Sequence, residues 1–292
     1  MIPRAWRRNG WTAWHLAGAA ALAAAGVALT FEAWADMFTI AWGDEEASHI
    51  FLVPIIAAWL VYVRRERLRY CAPTGHWVGP ALIAAGWVVS SIGYYNSMQA
   101  LWHAGAVVVV VGCALTALGA DVLRRFLPAI AVLIFLVPVP ARLRLGIALP
   151  LQEVLAQMTW GAFDLAGVDV EQFGNTLTIN GQPVQVAEAC NGLRMVFTLV
   201  LVSYAVAFGT PLKSYARFLL IALSPLSALV CNFVRMVPTV WLFGHASNSV
   251  AATFHDVAGW IMLFVAFLLL MGIIRVLRWA MLPVARFTLA YD

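Results

Sequence analysis

The chain has 292 residues, of which 63% are hydrophobic and only 11% are charged. A soluble domain of this length carries about a quarter charged residues, so the composition excludes an ordinary soluble protein. The apolar residues come in long runs, which predicts an all-α polytopic membrane protein built as a single domain over residues 1–292. The net charge of +4 comes from arginines in short loops, so it does not indicate a nucleic acid partner.

Eight apolar stretches are candidate transmembrane helices. They are residues 11–30, 49–63, 77–95, 100–119, 126–140, 189–209, 218–243 and 257–277. A helix needs about 20 residues to cross a bilayer, so the second and fifth stretches are short. The first stretch is longer than the apolar part of a secretory signal peptide, which is about 7–15 residues. We therefore interpret it as an uncleaved signal anchor rather than a cleaved signal.

The basic residues predict the orientation of these spans. If the N-terminus is cytoplasmic, fourteen of the 18 basic residues lie inside, as the positive-inside rule requires. These fourteen are Arg4, Arg7, Arg8, Arg64, Arg65, Arg67, Arg69, Arg124, Arg125, Lys213, Arg217, Arg275, Arg278 and Arg286. Arg142 and Arg144 are exceptions, and they fall in segment 141–168. We expect this segment to form one or two helices that lie at the outer face or dip into it.

The residues before the sixth span have a β-strand pattern. Residues 176–179 and 183–186 alternate apolar and polar side chains, and Asn180-Gly181 lies between them. Asn-Gly is the dipeptide favoured in type I′ hairpin turns. The pattern predicts a short extracytoplasmic β-hairpin, which with segment 141–168 forms an outer region over residues 141–188. The alternative is a plain polar connector.

Cys190 follows this hairpin, at the start of the sixth span. A helix N-terminus and the nearby Arg194 both stabilise a thiolate and so lower a thiol pKa. In the predicted topology, Arg235 lies in the outer half of the seventh span and His255 lies just before the eighth. A cysteine, an arginine and a histidine from three helices are therefore expected at a similar depth, within the catalytic spans 189–277.

Thiol acyl transfer is the chemistry that suits these three residue types. A thiolate attacks a carbonyl to form a thioester, a histidine carries the proton, and a fixed cation stabilises the oxyanion. An arginine within a span costs about 2.5–3.5 kcal/mol on insertion scales, which makes Arg235 a functional candidate. Each residue also has a structural explanation: Cys190 as an inert filler, Arg235 reaching the interface, and His255 as an interfacial helix start.

Other polar residues are secondary candidates. Arg194 is an alternative cation or a ligand for a lipid phosphate, and Asn232 shares a helix face with Arg235. His49, at the outer end of the second span, either lines the site or is interfacial. Cys231 is the second-choice nucleophile. His15, His103 and His245 show no evident partner, and four cysteines without CxxC spacing give no reason to expect a metal or another cofactor.

Several motifs, in order, resemble the exosortases, bacterial relatives of the archaeosortases. The early family motif S-H-G-F-L-V-P is similar to residues 48–54, the stretch M-V-P-L-P to residues 135–140, and the segment G-N-x-I to Gly174-Asn175 and the hairpin. The signature E-A-C-S-G-L-R resembles residues 188–194, N-x-x-R matches residues 232–235, and F-H-D-x-x-G-W matches residues 254–260. Asn191 replaces the usual serine and Ile50 the usual glycine.

The resemblance implies a membrane-embedded cysteine peptidase or transpeptidase of the bacterial inner membrane, with both termini cytoplasmic. Its substrates would be membrane-tethered exported proteins that carry a C-terminal sorting signal with a short motif such as Pro-Glu-Pro. By the same resemblance Cys190 is the nucleophile, Arg235 the proton donor or cation, and His255 the third site residue. The acceptor of the thioester, a lipid or a glycan among the candidates, is not identified.

Two non-enzymatic functions are alternatives to the cysteine peptidase. A transporter would use Arg235 and His255 to line a substrate path, but the chain shows no inverted repeat and no paired broken helices. A non-catalytic membrane scaffold for exopolysaccharide production would only pack Cys190. Labelling of Cys190 by a thiol reagent added outside the cell distinguishes an enzyme, which needs an accessible and reactive Cys190, from both alternatives.

Overall fold

A computed structural model describes residues 11–73, 77–186 and 192–279 of the chain. The chain divides into two compact units, residues 1–140 and 141–292, and each is described by itself. Within the described residues, six helices are long and apolar enough to cross a membrane, or up to eight if each of two bent pairs forms one span. The all-α polytopic fold is confirmed. The assignment of one domain stays a prediction.

The first unit contains seven described α-helices joined by short connections. They are α1 (Ala13–Leu29), α2 (Phe31–Gly43), α3 (Leu52–Val63), α4 (Val78–Tyr95), α5 (Gln99–Leu118), α6 (Ala120–Arg125) and α7 (Leu127–Ala131). The 3₁₀ helices of this unit are Glu45–Phe51, Arg65–Tyr70 and Val132–Leu136. The fifth span was predicted over 126–140, but the helix covers only Leu127–Leu136. Pro138 and Pro140 follow it and stop further helical hydrogen bonding, because proline has no backbone N–H.

The chain bends by 81° between α1 and α2. At the bend the Thr30 hydroxyl donates a hydrogen bond to the Gly26 carbonyl at 2.8 Å and accepts one from the Trp34 indole N–H at 3.0 Å. We did not predict α2, because its acidic residues indicated a solvated connection. Its buried face, Ala33, Met37 and Ala41, has the four-residue spacing of a helix and was the available signal.

Glycines hold α4 and α5 at very short distance. Gly79, Gly86 and Gly93 recur every seven residues on α4, and Gly105 and Gly112 do so on α5. A Cβ added to Gly86 would stand 2.8 Å from the Gly105 carbonyl oxygen, and one on Gly112 would stand 2.8 Å from the Ile83 nitrogen. These obstacles are backbone atoms, which cannot rotate away. Small residues at a helix interface allow this close approach in membranes.

Replacing Gly112 by leucine should therefore destabilise the first unit by about 3 kcal/mol or more, because overpacking against backbone forces the helices apart. The measurement is the thermal unfolding midpoint of the purified protein in detergent. Gly18→Leu on α1 is the control, since a Cβ there meets nothing within 4 Å. Equal midpoints for the two variants would contradict the close packing.

A buried histidine links α2 to α5. His103 is fully buried, and its Nε2 lies 2.9 Å from an Asp36 carboxylate oxygen. The sequence had shown no partner for His103, because 67 residues separate the pair and a contact of that range leaves no local pattern. The interaction fixes α2 against α5.

The described residues of the second unit form four helices and a small sheet. These are α8 (Ala141–Leu165), β1 (Val170–Phe173), β2 (Thr176–Ile179), β3 (Gln182–Gln185), α9 (Gly192–Gly209), α10 (Ser214–His245) and α11 (Asn248–Trp279). Segment 141–168 thus holds a single helix, with Pro150 inside it. Leu155 and Phe163 of α8, Leu177 and Ile179 of β2, and Met236 of α10 form one buried cluster.

The predicted hairpin is present as β2 and β3. Asn180 and Gly181 have φ values of 51° and 75°, the left-handed backbone that a type I′ turn requires. The Asn180 side-chain amide also donates to the Gly244 carbonyl at 3.1 Å, which ties the turn to the end of α10. The sheet has a third antiparallel strand, β1, which we did not predict because four residues with two adjacent polar side chains carry little alternation.

Candidate active site

The first turn of α9 packs against α10 at Asn232. A Cβ added to Gly192 would stand 2.8 Å from the Asn232 side-chain nitrogen, so the two helices are close at this level. Asn232 is 2% exposed. A side chain at Gly192 would press on the Asn232 amide, so the glycine lets the first turn of α9 lie directly on the polar face of α10.

Arg235 lies one turn further along the same face of α10 and is 3% exposed. Its backbone carbonyl accepts a hydrogen bond from the Thr239 hydroxyl at 2.8 Å. Its guanidinium reaches α11, because a Cβ added to Gly259 would stand 2.8 Å from Arg235 Nη1. Gly259 therefore provides the space that the buried guanidinium occupies.

A second guanidinium approaches the same point from α9. Arg194 Nη2 lies 3.9 Å from the Cβ position of Gly259, and its Cζ lies 5.5 Å from the centroid of the Trp260 ring. An arginine within about 6 Å of an aromatic centroid is in cation–π range. Two positive groups from different helices thus converge beside Gly259, an arrangement that favours a thiolate or an oxyanion.

His255 lies on α11 four residues before Gly259, so the two share a helix face. Its side chain is 13% exposed, and Nδ1 is 3.0 Å from the carboxylate of Asp256, which is 78% exposed. Nε2 is buried and makes no hydrogen bond to the described part of the chain. If Nδ1 carries the proton toward Asp256, Nε2 presents a lone pair and can accept a proton.

The structure thus brings Arg194, Asn232 and Arg235 together. It places His255 one helical turn from Gly259, beside which the two arginines converge. We predicted His255 just before the eighth span, but α11 begins at Asn248 and His255 lies in its third turn. The predicted nucleophile, Cys190, belongs to segment 187–191, which lies outside the described residues. His49 belongs to the first unit, where it is 4% exposed and its Nδ1 lies 3.0 Å from the Glu46 carbonyl oxygen.

The three described cysteines are buried and unsuited to nucleophilic attack. Burial raises the pKa of the Cys71 thiol, an effect that the positive charge of Arg125 only partly opposes. Cys113 lies on α5, and Cys231 packs among apolar residues that include Leu199 and Ala228. Within the described residues, no group of three or more His, Cys, Asp or Glu side chains is placed to hold a metal ion.

The role of Gly259 was not predicted from the sequence. Its motif was recognised as a pattern, but only the structure shows that two arginines crowd the Cβ position. A glycine one turn after a candidate histidine, in an otherwise apolar helix, was the signal that pointed to close approach.

Gly259→Ala should lower substrate processing up to about tenfold, without loss of protein from the membrane, because a small misplacement of a catalytic group lowers the rate. The added methyl group would stand 2.8 Å from Arg235 Nη1, so the guanidinium must shift by a few tenths of an ångström. The measurement is the initial rate of cleavage of a co-expressed substrate. Gly272→Ala on the same helix is the control, because its Cβ would meet nothing within 4 Å. Equal rates for the two would contradict the assignment.

Comparison with known proteins gives one result. No curated protein and no solved structure matches the chain. The sequence model of the family described as transmembrane exosortase matches residues 34–272, which include most of α2, all of α3 to α10 and most of α11. This match covers more than half of the chain, and the several long apolar helices are those of a multi-pass membrane protein. The chain belongs to the transmembrane exosortase family.

Proposed function

We propose that the protein is a cysteine peptidase or transpeptidase that cleaves C-terminal sorting signals of membrane-tethered exported proteins through a Cys190 thioester. The observation that carries the proposal is the convergence of the Arg194 and Arg235 guanidinium groups beside Gly259, at the first turn of α9. One residue, Asn191, separates Cys190 from Gly192 in the sequence, and two trans peptide units span at most about 7.6 Å. The proposal requires the Cys190 thiol to lie within reach of both cations.

Each residue has a distinct role in this proposal. Arg194 and the N-terminus of α9 hold the Cys190 thiol as a thiolate. The thiolate sulfur attacks the scissile carbonyl carbon, and Arg235, the more deeply buried cation, stabilises the resulting oxyanion. The C–N bond then breaks, the signal leaves as an amine, and the protein remains on Cys190 as a thioester.

His255 supplies the proton transfers. In its protonated form it donates a proton from Nε2 to the leaving amine, while Asp256 stabilises the charge at Nδ1. The neutral imidazole then accepts a proton from the acceptor that attacks the thioester. An acceptor amine or hydroxyl gives transpeptidation or ester formation, and water gives hydrolysis.

The proposed location follows from the arginine distribution. The chain spans the bacterial inner membrane with both termini in the cytoplasm, and Cys190, Arg235 and His255 face the outer side. The partners are membrane-tethered proteins with a C-terminal sorting signal and an acceptor of lipid or glycan class.

A covalent trap tests the proposed chemistry. Co-expression with a tethered substrate should give an enzyme–substrate conjugate that survives denaturation and is released by neutral hydroxylamine, which cleaves thioesters. Cys71→Ala should leave the conjugate in place, because Cys71 is buried and lies on the opposite side in the proposed topology. A conjugate that persists in Cys190→Ala, or none in any variant that still processes substrate, would contradict the thioester. A scaffold or transporter gives neither conjugate nor processing.

A further inference from the structure

A cavity of about 500 Å³ lies in the first unit, at the bend between α1 and α2. It is bounded by the C-terminal end of α1, the start of α2, the last turns of α4 and the first turn of α5. The C-terminal ends of two apolar helices and the N-terminal end of a third meet there. In a membrane this level corresponds to the boundary between hydrocarbon and lipid headgroups.

Four aromatic side chains of α4 and α5 line the cavity. Trp87, Tyr94, Tyr95 and Trp102 line it, and the Tyr94 ring lies 5.7 Å from the centroids of both Tyr95 and Trp102. An aromatic belt also places tryptophan and tyrosine at membrane interfaces, but there the rings are spread around the periphery. Here they converge from two helices on one space, which is the arrangement that recognises cations.

One charged side chain is found among the described residues that line the cavity, and it is Glu32. The hydroxyls of Thr30 and Ser90 also line it, but they donate to the carbonyls of Gly26 and Trp102. Ser91, the hydroxyls of two tyrosines and the indole N–H groups of two tryptophans are further donors in the lining. The lining therefore combines one negative charge, aromatic faces and several donors. This combination suits a zwitterionic headgroup, whose cation meets the carboxylate and the rings and whose phosphate accepts hydrogen bonds.

The backbone around Glu32 is held by contacts within the first unit. Asp36 follows Glu32 by one turn on α2 and contacts the buried His103 of α5 at 2.9 Å. The Trp34 indole bonds to Thr30 at the bend. The wall formed by α5 is fixed in turn by the Ser90 hydrogen bond to the Trp102 carbonyl, at 3.1 Å. These contacts fix the backbone of the bend and of α5 beside the cavity, and the Glu32 side chain itself is exposed there.

We propose that this cavity binds the ammonium headgroup of a membrane lipid. The lipid cation is held against the aromatic faces by cation–π attraction and paired with the Glu32 carboxylate. Leu29 and Phe31, which are 69% and 64% exposed beside the cavity, provide apolar surface for the acyl chains. The site needs no part of the second unit, so it stands independently of the thioester chemistry.

Native mass spectrometry of the full-length protein tests the site. The protein is purified in a polyoxyethylene detergent, which carries neither amine nor sugar, and titrated with phosphatidylethanolamine, phosphatidylcholine or phosphatidylglycerol. Wild type should bind one molecule of phosphatidylethanolamine or phosphatidylcholine, the two ammonium lipids, about tenfold more tightly than phosphatidylglycerol. Glu32→Gln should lower the affinity for the ammonium lipids about tenfold and remove the preference.

Two matched controls separate the site from general effects. Glu171→Gln removes the same charge from an exposed position on β1, and Trp14→Leu removes an indole that is 84% exposed on α1. Both should bind as wild type does, whereas Trp87→Leu should weaken binding of the ammonium lipids about fivefold. Tetramethylammonium should displace the lipid and octyl glucoside should not. Equal binding of all three lipids by wild type, displacement by the glucoside alone, or equal effects of Glu171→Gln and Glu32→Gln would overturn the proposal.

Discussion

Replacing Cys190 by alanine should abolish processing of a membrane-tethered substrate, with a loss of at least about 10³-fold in the cleavage rate. The proposed mechanism has no covalent intermediate without the thiol, and removal of a nucleophile leaves only the residual effect of binding and oxyanion stabilisation. The measurement is an immunoblot of tagged substrate during co-expression, read as the ratio of processed to full-length protein. Membrane levels of the variant should equal those of wild type.

The other cysteines provide the controls for this experiment. Cys71→Ala and Cys231→Ala should process substrate within about twofold of wild type, because both thiols are buried among apolar neighbours. Cys190→Ser should be nearly as inactive as the alanine variant, since a serine hydroxyl, unlike a thiol, is a weak nucleophile that does not ionise near neutral pH. Full activity of Cys190→Ala together with an inactive Cys231→Ala would transfer the nucleophile to α10.

Arg235→Gln should lower the rate of the chemical step about 10²- to 10³-fold. Removing one donor from an oxyanion site has a cost of this size in acyl-transfer enzymes. Arg235→Lys should recover little of the loss, because the point charge of lysine does not reproduce the planar fork of the guanidinium that reaches Gly259. A pulse-chase of substrate conversion gives the rate directly.

Protein stability is the main competing explanation for an Arg235 defect. Glutamine carries no charge into the apolar helix bundle, so Arg235→Gln should accumulate in the membrane at least as well as wild type. Arg142→Gln on α8 is the matched control, because Arg142 is exposed, and it should process substrate normally. If Arg235→Gln retained half of the wild-type rate, Arg194 would become the main cation.

The sequence predicted the long helices well because each must be apolar over its length to stay in lipid. It predicted the β2–β3 hairpin because the left-handed backbone at Asn180-Gly181 restricts which residues can occupy the turn. It did not predict α2, whose acidic residues Glu32 and Asp36 are accommodated by a cavity and by the distant His103. Those contacts join segments that are far apart in the chain.

The candidate site shows the same division between local and distant information. Arg235 and Asn232 were predicted to share a face because their spacing on one helix fixes it. The close approach of Arg194 and Arg235 at Gly259 depends on the packing of three helices, which spacing along the chain does not contain. Pro138 and Pro140 shortened the fifth predicted span, although hydropathy alone favoured a longer one.

The contact between α4 and α5 has a consequence for how the chain tolerates mutation. Every amino acid other than glycine adds at least a Cβ, and at Gly86 and Gly112 that atom would meet the backbone of the facing helix. In a saturation mutagenesis screen these positions should reject all substitutions, alanine included, and the rejected positions should recur every seven residues. The resulting periodic signal would mark sites that perform no chemistry, and it would equal in strength the signal from a catalytic residue.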